Sequence, residues 1–366
     1  MDKPLLHIGL VGPLPPPYGG MANQTRQLAA LLQHENIQVE LVQVNAPYRS
    51  DWIGRIRGLR AVFRLIPYLL QLWHAAGKVQ LFHVMANSGW SWHLFAAPAI
   101  WIARLRKIPV VVNYRGGEAE AFFQKSFFWV KPSLDKVSAI TVPSSFLKTV
   151  FGQIGYPTTI VPNIIDLSRF TVKSTENKIN QKGFPHIVAT RNLEAIYDNA
   201  TAIHAFQNVK RAYPEALLTI AGAGPQRDML ENLVNELNLQ EAVEFTGRID
   251  NNAVAKLYQR ADVMVNASLV DNMPISILEA LASGVPVVST DAGGIPYLVE
   301  HGKTALLVAK KDPAAMAEAI MQVLRNTELA DNLRKNGLAS LEKYTWNSVK
   351  KHLLMVYHQV LENNQS

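Results

Sequence analysis

Short Val- and Ile-rich runs, each followed by a longer helical stretch, restrict the fold of this chain more than any other feature. In the first half LHIGLVG (6–12), IQVELVQV (37–44), QLFHVMA (80–86), IPVVVNY (108–114), AITVPS (139–144) and TTIVPN (158–163) read as strands. MANQTRQLAALLQHE (21–35) between the first two reads as an amphipathic helix. Near-continuous apolar strands separated by helices predict a parallel sheet covered on both faces. Residues 164–185, IIDLSRFTVKSTENKINQKGFP, break the rhythm: they are polar, contain Gly and Pro, and read as a linker. The pattern then restarts with HIVAT (186–190), ALLTIAG (216–222), VEFTG (243–247), ADVMVNA (261–267), PVVST (286–290) and ALLV (305–308). Helical stretches at 313–325, 328–343 and 346–362 close the chain. Two successive α/β units predict two Rossmann-like domains with parallel sheets facing a central cleft, split near residue 170.

Charge and residue usage narrow the partners. Lys plus Arg is 36 and Asp plus Glu is 29 among 366 residues, a formal charge of +7. That excess suits anionic partners such as phosphorylated small molecules or an anionic membrane surface. Nucleic acid is not expected, because there is neither an aromatic-rich basic RNA motif nor a zinc-binding spacing. The absence of cysteine excludes structural disulfides and thiolate metal sites. The start, MDKPLLHIGLVGPLPPP, lacks the apolar run of a signal peptide, and no uncharged apolar stretch approaches the roughly 18 residues of a membrane span. The expectation is a cytoplasmic protein.

Ligands of such sheets bind at the carboxyl ends of the strands, so the loops there are where chemistry is sought. Gly19 and Gly20 follow the first strand and precede a helix, a turn that lets backbone N–H groups approach a phosphate; a plain strand-to-helix turn would look the same. In NYRGGEAEAF (113–122), Arg115 with Gly116 and Gly117 is able to hold an anion, and Glu118 or Glu120 to meet sugar hydroxyls. Arg191, at the exit of the first strand of the second half, is placed to clamp a diphosphate. AGAGPQRDML (221–230) offers Gly222 and Gly224 in a flexible corner, TGRID (246–250) contributes Arg248, and STDAGGIPYLVEHG (289–302) offers Gly293 and Gly294. In SLVDNMPISILEALASG (268–284) a helix opening at Pro274 carries Glu279 among apolar residues, with Asp271 in the corner before it. A carboxylate in an apolar helix must be paired or be costly, and carboxylates accept readily from sugar hydroxyls. A cap at Asp271 and a core ion pair at Glu279 would satisfy the spacing equally well.

Taken together, DNMPISILEALASGVPVVSTDAGGIP, the GG loop at 19–20, VPSSFLKTVF, IVPNIIDLSRF (160–170), LTIAGAGP (218–225), VEFTGRI (243–249) and LYQRADVMVNAS (257–268) resemble the retaining glycosyltransferase family 4, of GT-B fold. The resemblance runs over nearly the whole chain. It implies a nucleotide-sugar donor, UDP- or GDP-linked, held mainly by the second domain (171–345), and a glycan or lipid-linked acceptor on the first (1–170), onto which the helix from 346 packs back. It further implies that Glu279 binds the ribose hydroxyls, Asp271 touches the transferred sugar, Arg191 binds the diphosphate and Gly20 approaches that diphosphate. The stretch Asn272, Met273, Pro274 and Ile275 would meet sugar hydroxyls through its amides, with Gly19, Gly222, Gly224 and Arg248 also on the donor side. Transfer would retain the anomeric configuration in cell-surface polysaccharide or glycolipid assembly, with no cofactor and no metal.

Three positions depart from the family pattern. The first glutamate of the E-x7-E motif is Asp271, the lysine after the arginine is replaced around Ile196 and Tyr197, and the first-domain histidine is Arg115. Relocated charge, with Arg115 replacing the lost lysine, is the expected explanation. A non-catalytic member of an assembly complex and a nucleotide-sugar epimerase are the alternatives. An NAD-dependent oxidoreductase is disfavoured, since no GxGxxG follows a strand.

RIRGLRAVFRLIPYLLQLW (55–73) is basic and apolar at helical spacing, with Pro67 expected to interrupt it. It reads either as an ordinary helix pair or as a surface helix lying on anionic lipid, which would place the protein peripherally on a membrane face. WSWHLFAAPAIWIARLRK (90–107) reads as a core-packing helix too short to span a bilayer.

Overall fold

A computed structural model describes residues 6–16, 19–46, 59–170, 172 and 184–365. Most of the expected linker (171 and 173–183) and the basic residues Arg55 and Arg57 lie outside the described residues. The chain divides into two compact units, Met1–Ile164 with Trp346–Ser366, and Ile165–Thr345. The division falls at Ile164/Ile165 because Ile165 and Phe170 are buried in a core of the second unit.

The first unit contains strands β1 (His7–Gly12), β2 (Gln38–Gln43), β3 (Leu81–Ala86), β4 (Val110–Tyr114), β5 (Ala139–Val142) and β6 (Thr159–Ile160). They form one parallel sheet in the order β2-β1-β3-β4-β5-β6. Helices α1 (Gly20–His34), α2 (Leu59–Ala75), α3 (Ala97–Leu105), α4 (Ala119–Leu134) and α5 (Ser145–Gln153) connect them. Helices α2 to α5 pack on one face, burying Leu72, Ile100, Phe123 and Phe151 against Phe82, Val110 and Val112. On the other face lie α1 and the chain's last helix, which contribute Leu28, Leu32, Leu353 and Tyr357 beside Ile8, Leu10 and Val111. Every residue of β3 and β4 is buried, which is why these strands read as unbroken apolar runs.

The second unit repeats the scheme. Strands β7 (His186–Ala189), β8 (Leu217–Ala221), β9 (Val243–Gly247), β10 (Val263–Asn266), β11 (Val287–Thr290) and β12 (Leu306–Val308) form a parallel sheet in the order β12-β11-β10-β7-β8-β9. Its helices are α6 (Asn199–Ala212), α7 (Arg227–Glu236), α8 (Asn251–Arg260), α9 (Ile275–Ala282), α10 (Ile295–Leu298), α11 (Pro313–Arg325) and α12 (Thr327–Ala339). Strand order reverses between β7 and β10, which lie side by side. Loops leaving two adjacent strands in opposite directions open a crevice at that point, so the exits of β7 and β10 are where a ligand is expected.

The last helix, α13 (Trp346–Gln365), joins the first unit. Glu35 of the first unit accepts from Trp346 Nε1 and Lys350 Nζ, both at 2.9 Å. Deeper in, Asn113 Nδ2 lies 3.1 Å from His83 Nε2, and His83 Nδ1 lies 2.7 Å from Tyr357 Oη. Because the amide can only donate to Nε2, Nδ1 carries the proton and donates to the tyrosine. Burial, reinforced by the Arg115 charge, pushes the His83 pKa down to about 3, so the ring stays neutral.

Two expectations for this unit change. Helix α2 runs through Pro67 without ending. Pro67 lies on the exposed side of the helix. The stretch 90–107 is a π-helical turn (Trp92–Ala96) leading into α3, and only part of it is core: Trp92, Ala99, Ile100 and Ala103 are buried whereas Trp101 and Leu105 are exposed.

The buried contact between α13 and the sheet is open to test. Tyr357→Phe leaves the His83 Nδ1–H without an acceptor, which costs on the order of 1–3 kcal/mol. Urea unfolding should show that loss with an unchanged m-value.

Candidate active site

The exits of β7 and β10 bring together residues 80 positions apart. Arg191 leaves β7 one residue after Thr190, and Asp271 sits in the loop after β10. The Arg191 guanidinium donates to the Asp271 carboxylate, and both side chains are largely shielded, at 12% and 11% exposure. The same carboxylate accepts from the Asn272 N–H at 2.8 Å and, more weakly, from the Ser268 hydroxyl at 3.5 Å. Burial pushes the Asp271 carboxyl pKa up, while Arg191 and these donors pull the other way. Tyr197 stacks beneath Arg191, its ring 4.0 Å from the guanidinium carbon. Tyr197 belongs to a 3-10 turn (Ala195–Tyr197), and that turn is tied to the β10 loop because Leu269 N–H donates to the Ile196 carbonyl at 2.8 Å.

Four glycines weld these loops together. A Cβ at Gly222 would stand 2.0 Å from the Arg191 carbonyl oxygen, and one at Gly224 would stand 2.3 Å from that of Leu193. At Gly293, where φ is +53°, and at Gly294 it would meet the carbonyls of Asp271 and Asn272 at 2.2 and 1.9 Å. Gly294 N–H also donates to the Asp271 carbonyl at 2.8 Å. The corner at 221–230 is therefore close-packed where sequence suggested flexibility, and its glycines are needed to let backbone meet backbone.

Helix α9 starts at Ile275, one residue later than expected, with Pro274 as its N-cap and no capping side chain. The Asn272 N–H is already taken by Asp271, and Pro274 has no N–H, so these two amides are not offered to a ligand as the sequence suggested. Glu279, one turn inside α9, accepts no side-chain hydrogen bond among the described residues. Its carboxyl pKa is pushed up to about 7 by burial, against the opposing charges of Arg169 and Arg191. Arg169, on the 3-10 turn Leu167–Arg169, is a residue that sequence reasoning did not select. Buried Arg169 Nη2, Arg191 Nε and Ser276 Oγ have no hydrogen-bond partner in the described structure. Unpaired buried donors are uncommon in native proteins, and these come from the elements that surround Glu279. Tyr258, fully buried, completes the wall: its hydroxyl meets Ser276 O at 3.0 Å and Thr190 Oγ1 at 2.5 Å.

Family comparison decides what this arrangement belongs to. Residues 174–339 match the family of glycosyl transferases group 1, and residues 18–169 match glycosyltransferase family 4. The chain belongs to glycosyltransferase family 4, of GT-B fold. A phosphatidyl-myo-inositol mannosyltransferase from Mycobacterium leprae is 23% identical over 93% of both chains. An uncharacterized glycosyltransferase from Methanocaldococcus jannaschii is 28% identical over 62% of this chain and 61% of its own length, and a Mycobacterium tuberculosis glycogen synthase is 26% identical over 72% and 66%. The match thus spans somewhat less than two thirds of the length of these last two relatives. Among solved structures, a sucrose-phosphate synthase from Thermosynechococcus elongatus superposes with a TM-score of 0.80 at 20% identity, covering 98% of this chain and all of its own. Anabaena HepE in complex with UDP-glucose superposes with a TM-score of 0.74 at 19% identity, covering 96% and 99%.

Arg248 of the second unit and several residues of the first complete the set expected from sequence. Arg248, on the loop between β9 and α8, is exposed. In the first unit a Cβ at Gly19 or Gly20 would meet nothing within 4 Å, and neither needs a positive φ, so protein packing does not demand glycine at either position. Arg115 follows β4 and donates to Asn113 Oδ1 at 3.1 Å and to Asn163 Oδ1. Burial pushes its pKa down to about 10, which leaves it charged at neutral pH with amides, and no carboxylate among the described residues, at its guanidinium. Glu118 is the exposed N-cap residue of α4, and Glu120 lies exposed in its first turn.

The buried charge of Glu279 has a stability consequence. The carboxyl titrates near 4.5 when unfolded and near 7 in the native protein. Below pH 4.5 both states are protonated. Between pH 4.5 and 7 the unfolded state releases its proton first, so stability falls across that window and is flat above it. Glu279→Gln should therefore stabilise the protein by on the order of 2 kcal/mol at pH 8 and by little at pH 4.5. Urea unfolding at the two pH values measures the difference.

Proposed function

We propose that the enzyme transfers a sugar from a nucleotide-sugar donor, UDP- or GDP-linked, to a glycan or lipid-linked acceptor, with retention at the anomeric carbon. One observation carries the reading: the unpaired buried donors of Arg169, Arg191 and Ser276 surround an unpaired carboxylate at the switch point of the second sheet. A nucleotide-sugar supplies what both kinds of group lack. Its ribose diol donates to Glu279, and its diphosphate accepts from Arg191 and Arg169. Names among the relatives point the same way. The mycobacterial mannosyltransferase names a lipid acceptor, the glycogen synthase names a polysaccharide, and HepE binds UDP-glucose.

In this reading Arg169 replaces the family lysine, in whose region Ile196 and Tyr197 stand. Asp271 orients Arg191, accepting one N–H of its guanidinium and leaving Nε directed elsewhere. The loop at Asp271–Ile275 contacts the sugar, the Gly222 and Gly224 corner and Arg248 line the donor side, and the open backbone at Gly19 and Gly20 accepts a phosphate. Arg115 supplies positive charge in the first unit. In the transfer, the bond from the anomeric carbon to the diphosphate oxygen breaks and the acceptor oxygen bonds to the same face of that carbon. The acceptor's proton passes to the departing phosphate oxygen. Fixed positive charge at the arginines stabilises the leaving diphosphate, and no metal is assigned a part.

Titration calorimetry with UDP-glucose, UDP-N-acetylglucosamine and GDP-mannose tests the donor site. At least one should bind, Arg169→Ala and Glu279→Ala should each weaken it at least tenfold, and unchanged affinity in either variant removes that residue from the site. Affinity should also drop as pH falls below about 7 in the wild type, because the ribose hydroxyls need the ionised Glu279, and Glu279→Gln should lose that dependence. NMR of the transfer product identifies the anomer; inversion would refute retention. Donor conversion without any acceptor would instead indicate an epimerase.

A further inference from the structure

Helix α2 is apolar on both sides. Its inner side buries Tyr68, Leu72 and Ala75. Its outer side shows Phe63, Ile66, Leu70 and Trp73, spaced three, four and three residues apart, with exposures of 45–68%. An ordinary surface helix carries polar residues there. The row continues onto α3, where the Arg106 guanidinium lies 4.8 Å over the Trp73 ring and Leu105 and Trp101 are 69% and 42% exposed. From Trp101 it crosses a groove to Phe127, Phe128 and Pro132 of α4. Single exposed apolar residues are normal; a connected row across three neighbouring helices is not.

Charge identifies what covers it. Exposed Arg104, Arg106 and Lys107 stand at the end of α3, and exposed Lys125, Lys131 and Lys136 on and beyond α4. The acids of the same helices are Asp135, held by Lys131 Nζ at 2.7 Å and by the Tyr156 hydroxyl, and Glu118 and Glu120 at the far, N-terminal end of α4. A second copy of this face would bring like charges together, which disfavours self-association. An anionic surface with an apolar layer beneath its charges satisfies both features: basic heads meet lipid phosphates while indole and aliphatic side chains enter the interface. No described helix is long and apolar enough to cross the membrane, so contact is in the plane of the interface. We propose that the outer face of α2, α3 and α4 docks the protein onto an anionic lipid bilayer. The inference does not depend on the donor site proposed above.

Flotation with vesicles of phosphatidylglycerol and phosphatidylcholine, against phosphatidylcholine alone, tests it on the full chain. The protein should bind the anionic vesicles and release as salt rises. Trp101→Ser with Leu105→Ser should weaken binding at least tenfold. Arg104→Glu with Lys107→Glu should do the same, at about fivefold for each basic residue removed. All four side chains are exposed, so thermal unfolding midpoints should stay within a few degrees, and nucleotide-sugar affinity in solution should not change. Equal binding to both vesicles, no binding to either, or full binding by both double variants overturns the proposal. So does a dimer in light scattering that the Trp101 and Leu105 substitutions dissolve while vesicle binding is absent.

Discussion

The pairing of Arg191 with Asp271 is the constraint from which the rest of the second unit follows. It joins the exits of two strands that are adjacent in the sheet and far apart in the chain, and it does so where strand order reverses. A guanidinium this shielded needs its geometry imposed on it. Tyr197 supports one face, and the Asp271 backbone is pinned by Gly294 through a hydrogen bond and by Gly293 through close packing. With Asp271 fixed by its carbonyl and its carboxylate together, Arg191 has one end held and Nε unpaired. In the proposed donor site this would be a clamp built before any ligand arrives, and preorganisation of this kind is what makes fixed charge effective at a leaving group.

The same region is where stability is given up. Glu279 lies in a helix otherwise made of Ile, Leu, Ala and Ser, and burial disfavours its ionised form by more than the two arginines recover. Buried donors on Arg169, Arg191 and Ser276 each lose hydration with nothing in return. Uncompensated groups concentrated at one strand junction, in a unit whose other buried polar groups are largely bonded, mark a place shaped for a partner outside the chain.

Sequence made the architecture legible because parallel strands buried on both faces must be apolar along their whole length. All twelve appear where the Val- and Ile-rich runs predict them, and Arg191, Gly222 and Asp271 fall on the loops that follow β7, β8 and β10. What it hid was contact. Spacing alone does not show that Arg191, 80 residues earlier, donates to Asp271. Gly222 and Gly224 read as a flexible corner, yet neighbouring carbonyls already fill the space a side chain would take there and at Gly293 and Gly294. Arg169 lies in a segment read as linker, and only the fold brings its charge to Glu279. The outer row of α2 was visible in its spacing, but Pro67 obscured its continuity until the helix proved to run through.

The two units solve the problem of a buried arginine differently, and the difference bears on what each arginine is free to do. Arg191 faces a carboxylate, so most of its charge is balanced inside the protein and what remains available is direction. Among the described residues Arg115 donates to amides, Asn113 and Asn163, and Asn113 is itself fixed by the neutral His83 and, through it, by Tyr357 of α13. An amide satisfies a guanidinium's hydrogens without cancelling its charge. The chain from Tyr357 to Arg115 therefore holds a full positive charge in a set orientation at the exit of β4, where a carboxylate in place of either asparagine would have neutralised it. Keeping a buried cation charged at this position requires such a neutral cradle, and helix α13, distant in sequence, supplies its far end.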